Sequence, residues 1–311
     1  MKDQYNEIEE LVHLYIDGAF NRRELVKRAA KQTGSVGAAL VALQAFALPR
    51  RAAAQCPPDV RVSEDAADIE AQMVDYPGPG GSVFGYLVRP NEPSGPARAR
   101  AALQPSPRPA VLVIHENRGL NDHIKDVVRR VARAGYIGLG VDLVSRQGGT
   151  HQFPDPQQAG AALNRVGAAA QLEDLLASVE YLKSLSYLQS GSIGVVGFCF
   201  GGGLCWTLAR NSPDVRAVVP FYGTPPASVD QLDSITAPIL AVYAETDRNL
   251  TLRMPPIVTG MIDRRKTFGF HMYDGVGHAF HNDTGPAYNR AAACDAWART
   301  IAFFDKYLRA A

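Results

Sequence analysis

From about residue 83 to the C-terminus, short apolar runs of strand length alternate with longer amphipathic stretches, and no other feature restricts the possible folds so strongly. Runs that are apolar throughout must be covered on both faces, and the stretches between them are the helices that cover them. "VFGYLVRP" and "AVLVIHE" read as strands, "HIKDVVRRVARAG" as a helix closing at Gly135, and "YIGLGVD" as the next strand. Beyond Asp142, "LVSRQGGTHQFPDPQQAG" reads as a long loop on the site side of the sheet, followed by a helix over "QLEDLLASVEYLKS". "IGVVGF" is a strand and "GGGLCWTLAR" opens a helix. "VRAVVPFYG", "PILAVYAE" and "FGFHMYD" supply further strands, and "AYNRAAACDAWARTIAFFDKYL" closes the chain as a helix. The Pro-, Ala- and Arg-rich stretch "NEPSGPARARAALQPSPRP" reads as a surface loop. No internal repeat interrupts this order, so one α/β domain is expected over residues 55–311, a mostly parallel sheet with helices on both faces.

Residues 1–54 follow a different rule. Arg22-Arg23 precede the mostly apolar "GSVGAALVALQAFALP" and then small residues ahead of Gln55, the order of a twin-arginine export signal. The apolar run is too short for a stable membrane span. The alternative is an N-terminal helical arm with "IEELVHLYI" as its amphipathic part, and the acidic residues ahead of the arginine pair count toward it. The first reading implies a periplasmic or secreted protein beginning near Gln55, the second a cytoplasmic one.

Charge narrows the partners. With 32 Lys plus Arg against 31 Asp plus Glu, the protein has no long-range field to steer polyanions, so nucleic acid is not an expected partner. The four cysteines show neither a CxxC pair nor zinc-ligand spacing, so no metal site and no disulfide scaffold is expected. His115, His123 and His151 are scattered and read as structural or surface residues. Cys205 and Cys294 read as inert thiols on helices.

One thiol is placed differently. Gly197-Phe198-Cys199-Phe200-Gly201 lies between a buried strand and a helix, the context of a nucleophile elbow, with Cys199 at the nucleophile's position. Glycines two before and two after are required where any Cβ would strike the neighbouring strand or helix. A helix beginning at the thiol adds its positive end, which favours thiolate. Taken alone, the pentapeptide also suits a small cysteine in a packing turn. Chain order favours chemistry: Asp247 follows one later strand and His278 the next, the sequence of nucleophile, acid and base that this turn requires. Asp247 would orient His278, which would take the thiol proton. Glu245 is the rival acid, and His281 and His271 are the rival bases.

Over roughly residues 83–308 these blocks resemble the dienelactone hydrolase family of α/β-hydrolases, in which a cysteine replaces the serine of the elbow. "HENRGLND", "GFCFGG", "ETD" and "GHAFHND" carry the resemblance in order and spacing. It implies the α/β-hydrolase fold and a cofactor-free hydrolase cleaving a small-molecule ester or lactone through a covalent acyl-enzyme. It also implies a role for Glu116, which would contact the resting thiol and oppose a free thiolate. The backbone N–H groups of Asn117 and Phe200 would form the oxyanion hole. One departure concerns the substrate. Family members hold a substrate carboxylate with arginines, one of them four residues past the histidine, where this chain has Asn282. Arg146, or later Arg165, is the candidate for the second, and Tyr222 is a candidate for the pocket wall. The competing reading is a non-catalytic protein of the same fold that binds a small molecule or a partner.

Overall fold

The computed structural model describes residues 11, 22–35, 37–39, 60–91 and 106–309. Eight strands form one sheet: β1 (Ile69–Gly78), β2 (Gly81–Pro90), β3 (Arg108–Ile114), β4 (Ile137–Asp142), β5 (Leu188–Phe198), β6 (Val215–Phe221), β7 (Ile239–Ala244) and β8 (Phe268–Tyr273). Their spatial order is β1-β2-β4-β3-β5-β6-β7-β8. The β1/β2 and β2/β4 pairs are antiparallel, and all later pairs are parallel.

Strand β3 shows why the sheet needs cover on both sides. Ala110, Leu112 and Ile114 point into one core while Val111 and Val113 point into the other, and all five are fully buried. The first core holds Leu175, Val179 and Leu182 of α4 (Ala168–Ser184) with Leu204 and Leu208 of α5 (Phe200–Asn211). The second holds Ile124, Val127 and Val131 of α2 (Asp122–Arg133) and Ala296 and Phe304 of α8 (Arg290–Phe304). Helix α2 begins where Asn121 accepts a hydrogen bond from the Ile124 amide and ends before Gly135, which takes φ 93° as the expected stop.

Two elements depart from the sequence expectation. Strand β1 was not expected, because as an edge strand it is half-exposed and its sequence, IEAQMVDYPG, lacks a continuous apolar run. The expected long loop beyond Asp142 is shorter, because Pro156–Val166 is a helix, α3. Asp155 caps it by accepting from the Gln157 amide at 2.8 Å, and Pro156 occupies its first turn, where a missing N–H costs nothing.

Near the N-terminus, Arg22–Thr33 is helical (α1), and Ala29 and Ala39 are buried. A Cβ at Gly37 would stand 2.6 Å from the Pro255 carbonyl oxygen, so the chain there lies against the helix Met254–Asp263 (α7, after the single turn α6, Arg248–Thr251). Most of the apolar run, the small residues before Gln55, and residues 92–105 of the Pro-rich loop lie outside the described residues. No helix among the described residues is long and apolar enough to cross a membrane.

Candidate active site

The parallel strands deliver their C-terminal ends to one edge of the sheet, where open α/β sheets place their sites. Cys199 follows β5 directly, at φ 55° and ψ −114°, a conformation disfavoured for any residue with a Cβ. Two backbone bonds hold it there. Its N–H donates to the Phe221 carbonyl at 3.0 Å, and its carbonyl accepts from the Gly203 amide at 3.2 Å as α5 begins. The glycines are demanded by close backbone approach: a Cβ on Gly197 would collide with the Gly201 carbonyl, and one on Gly201 with the carbonyls of Ile114 and His115.

Asp247, past β7, accepts a hydrogen bond from His278 Nδ1 at 2.6 Å, which leaves the other ring nitrogen for the thiol. The hydrogen bond with Cys199 is the largest influence on His278, followed by opposing burial, the charge of Cys199, and Asp247. Together these push the imidazole pKa up to about 9 from an ordinary 6.5. Because the folded state binds this proton more tightly, the associated stability is fully present below 6.5 and is lost as pH rises through about 9. In Cys199→Ala the main cause is gone, so the imidazole is expected to titrate well below 9. NMR titration of the His278 ring protons measures the difference, and an unchanged value would show that Cys199 and His278 do not interact.

The rivals are employed elsewhere. Glu245 accepts from the Gly275 amide at 2.7 Å and braces the turn after β8. His281 is buried and stacks on Phe198 with ring centroids 4.9 Å apart, and burial, reinforced by Arg130, pushes its pKa down. Burial likewise lowers His271 to about 4, beside Asp295.

Glu116 is buried at the end of β3 and accepts from Asn282 Nδ2 at 2.7 Å. Asn282 therefore contacts Glu116 itself. His115 behind it is structural, as expected: its Nδ1 donates to the Glu116 carbonyl at 2.6 Å while Nε2 accepts from the Leu143 amide at 3.1 Å, pinning the loop to the end of β4. Asn117 is exposed beside this loop, and Phe200 opens α5, where its amide is among those without an intrahelical acceptor. Tyr222 directly follows β6 at φ 34°, fully buried, its ring centroid 5.1 Å from that of His278. Burial raises its phenol, and the nearby charges of Glu116 and Cys199 add to the effect. Among the described residues four non-glycines have positive φ, and Cys199, Tyr222 and Ala279 of these stand at this edge, a concentration of strain that periodicity in the sequence does not signal.

Arg146 does not join them. Its guanidinium donates to Asp174 at 2.8 Å and to Glu173 at 2.8 Å on α4, and it packs against Gly80 in the β1–β2 turn. Two carboxylates on α4 therefore hold the guanidinium expected to serve the pocket. Arg165 donates to Gln147 at 3.3 Å. Cys205 is a free, fully buried thiol whose pKa burial raises, as expected of an inert residue. Cys294, expected to be a thiol, is disulfide-bonded. Cys199 and Cys205 are free, and Cys56 lies outside the described residues.

Comparisons with known proteins agree on one relationship. A family model described as the dienelactone hydrolase family matches residues 97–308. A protein of Methylorubrum extorquens assigned as a carboxymethylenebutenolidase is 32% identical over 264 residues, covering 79% of this chain and 84% of its own. A protein of Saccharolobus solfataricus with the same assignment is 33% identical over 244 residues, covering 67% of this chain and 93% of its own. Among solved structures, a protein of Klebsiella pneumoniae assigned as a dienelactone hydrolase superposes with a TM-score of 0.67 at 26% identity, covering 77% of this chain and 99% of that one.

Proposed function

Since the chain belongs to the dienelactone hydrolase family and is a hydrolase of ester or lactone bonds, we propose that it works through Cys199, His278 and Asp247 by a covalent acyl-enzyme. The observation that carries this reading is the 2.6 Å bond from His278 to Asp247 beside a thiol held at an elbow. Cys199 sulfur attacks the substrate carbonyl, and the negative oxygen turns toward the amides of Phe200 and Asn117. His278 gives its proton to the departing alkoxide, leaving a thioester. Acylation removes the interaction with the Cys199 sulfur that holds the proton on His278, so the imidazole becomes a base able to draw a proton from water. The hydroxide so generated breaks the C–S bond, the acid leaves, and His278 returns its proton to the departing sulfur, restoring the thiol. Glu116 opposes a free thiolate in the resting site, and Tyr222 walls the pocket.

The acyl group follows from what the polar side chains are already doing. Asn282 spends its N–H on Glu116 and Arg146 its guanidinium on α4, so neither is free to hold a substrate carboxylate. Neutral short-chain esters and lactones are therefore expected to be cleaved with kcat/KM about tenfold above matched carboxylate-bearing lactones. A panel of both, assayed by chromogenic release and by loss of lactone absorbance, tests the reaction and the preference together. Faster cleavage of the acidic members would reassign recognition to another cation, for which exposed Arg118 is the first to replace. No turnover of any member would favour the binding-protein reading.

Export through the arginine pair is proposed as well. It is supported by the disulfide at Cys294, because disulfides persist in oxidising compartments. Fractionation of cells producing the full chain, with Arg22 and Arg23 changed to lysine in a control, tests it.

A further inference from the structure

Five residues past His278, the loop carries a buried charge cluster that the mechanism above does not use. The Asp283 carboxylate, its side chain only 6% exposed, accepts from Arg130 Nη2 at 2.6 Å, His123 Nδ1 at 3.1 Å and Arg61 Nε at 3.2 Å. Arg61 Nη2 also donates to the Asp283 carbonyl at 2.7 Å, so the peptide is gripped as well as the side chain. Arg130 is bonded in turn to Asp126, whose other oxygen accepts from the Val62 amide at 2.7 Å. Three separate segments thus meet on one residue: the chain at 61–62, helix α2, and the loop that carries His278. Burial alone would raise the Asp283 carboxyl, yet the His123 hydrogen bond and the Arg130 charge hold it well below the usual carboxylate range.

Asp283 is the chain neighbour of Asn282, whose own orientation is determined. Asn282 Oδ1 accepts from the Thr284 amide at 3.0 Å and the Thr284 hydroxyl at 2.7 Å, which turns Nδ2 toward Glu116 Oε2 at 2.7 Å. Stability by itself does not call for so many buried charges, since apolar packing of the same volume serves at least as well. A ring of directional bonds supplies something that apolar packing cannot, namely one position for the residue next to it.

We propose that Asp283 is a positioning residue: by gathering Arg130, His123 and Arg61 it holds Asn282 where its amide restrains the Glu116 carboxylate beside Cys199. The inference rests on the roles given above to Cys199 and Glu116. Asp283 itself touches neither thiol nor substrate.

The test compares Asp283→Asn, Asn282→Ala and the double variant. The readouts are kcat and KM on an ester that the wild type cleaves, the rate of Cys199 alkylation by iodoacetamide across pH, and melting temperature. Asp283→Asn is expected to lower kcat about tenfold with KM within about twofold. It should also move the pH midpoint of alkylation downward, in the direction of Asn282→Ala, because a released Glu116 no longer opposes the thiolate beside His278 and Tyr222. In the double variant the two effects should not add, as expected for residues acting through one contact. Additive losses, or a lowered melting temperature with an unchanged alkylation profile, would overturn the proposal and leave Asp283 a structural residue. If Asp283→Asn does not fold, Arg61→Met carries the test. Its side chain is 56% exposed, and a smaller shift of the same sign is expected, while no shift refutes the inference. Alkylation reads Cys199 without any substrate, so a wild type that cleaves no ester would unseat the proposed reaction while leaving this experiment decisive.

Discussion

Cys199→Ala is expected to lose ester or lactone hydrolysis by on the order of 10⁴-fold in kcat/KM, with little change in melting temperature. The size follows from what the residue supplies. A covalent route disappears without its nucleophile, and what remains is whatever the amides of Phe200 and Asn117 and the imidazole of His278 can do for attack by water. Alanine carries the same Cβ into the same φ of 55°, so the elbow keeps its backbone bonds to Phe221 and Gly203 and the fold is not perturbed. Steady-state kinetics beside a thermal melt measures both quantities. A folded variant with wild-type turnover would remove the thiol from the reaction and leave His278 and Asp247 as the only chemistry of the site.

Gly201→Ala is expected to be among the costly single methyls in the molecule's centre. Its Cβ would lie 2.5 Å from the His115 carbonyl oxygen and closer still to that of Ile114, both backbone atoms at the end of a central strand that cannot rotate aside as a side chain could. Overpacking against backbone puts the loss at about 3 kcal/mol, or about 6 °C in melting temperature for a domain of this size. Activity should fall with stability, because any relief that moves α5 away from β3 also moves Phe200 away from Asn117. Gly191→Ala is the useful comparison. That glycine sits at φ 67° with open space around it, so its penalty is conformational strain without collision. Equal losses in the two variants would mean that α5 yields to the extra methyl.

The parts of this architecture that were legible in the sequence are those where burial writes a pattern. Strands β3 to β7 are covered on both faces and read as apolar runs, and the elbow announces itself because tight backbone approach excludes every side chain except hydrogen. Strand β1 was missed because an edge strand with one exposed face carries no such run. The helix at Pro156 hid in a polar, proline-containing stretch whose Asp-Pro pair is equally the signature of a turn. Arg146 shows a different limit. A charged residue in a loop can serve a substrate or a neighbouring helix, and the sequence does not reveal that Asp174 and Glu173 stand 2.8 Å from this guanidinium. The cluster around Asp283 was invisible for the same reason, since its partners Arg130 and His123 belong to a helix whose polar residues read as its solvent face. Asp247 and His278, which lie 2.6 Å apart, were legible as a pair because chain order in this fold constrains them more tightly than their own side chains do.

The hydrogen bond between Asn282 and Glu116 joins residues 166 positions apart, and that between His123 and Asp283 spans 160. Contacts of such separation form only after the intervening chain has collapsed and most of the loop-closure entropy has been spent. In a refolding experiment, therefore, the helical signal should return early and thiol reactivity characteristic of the native site late. Catalytic turnover would then mark the completion of the sheet, a clock for the last step of assembly.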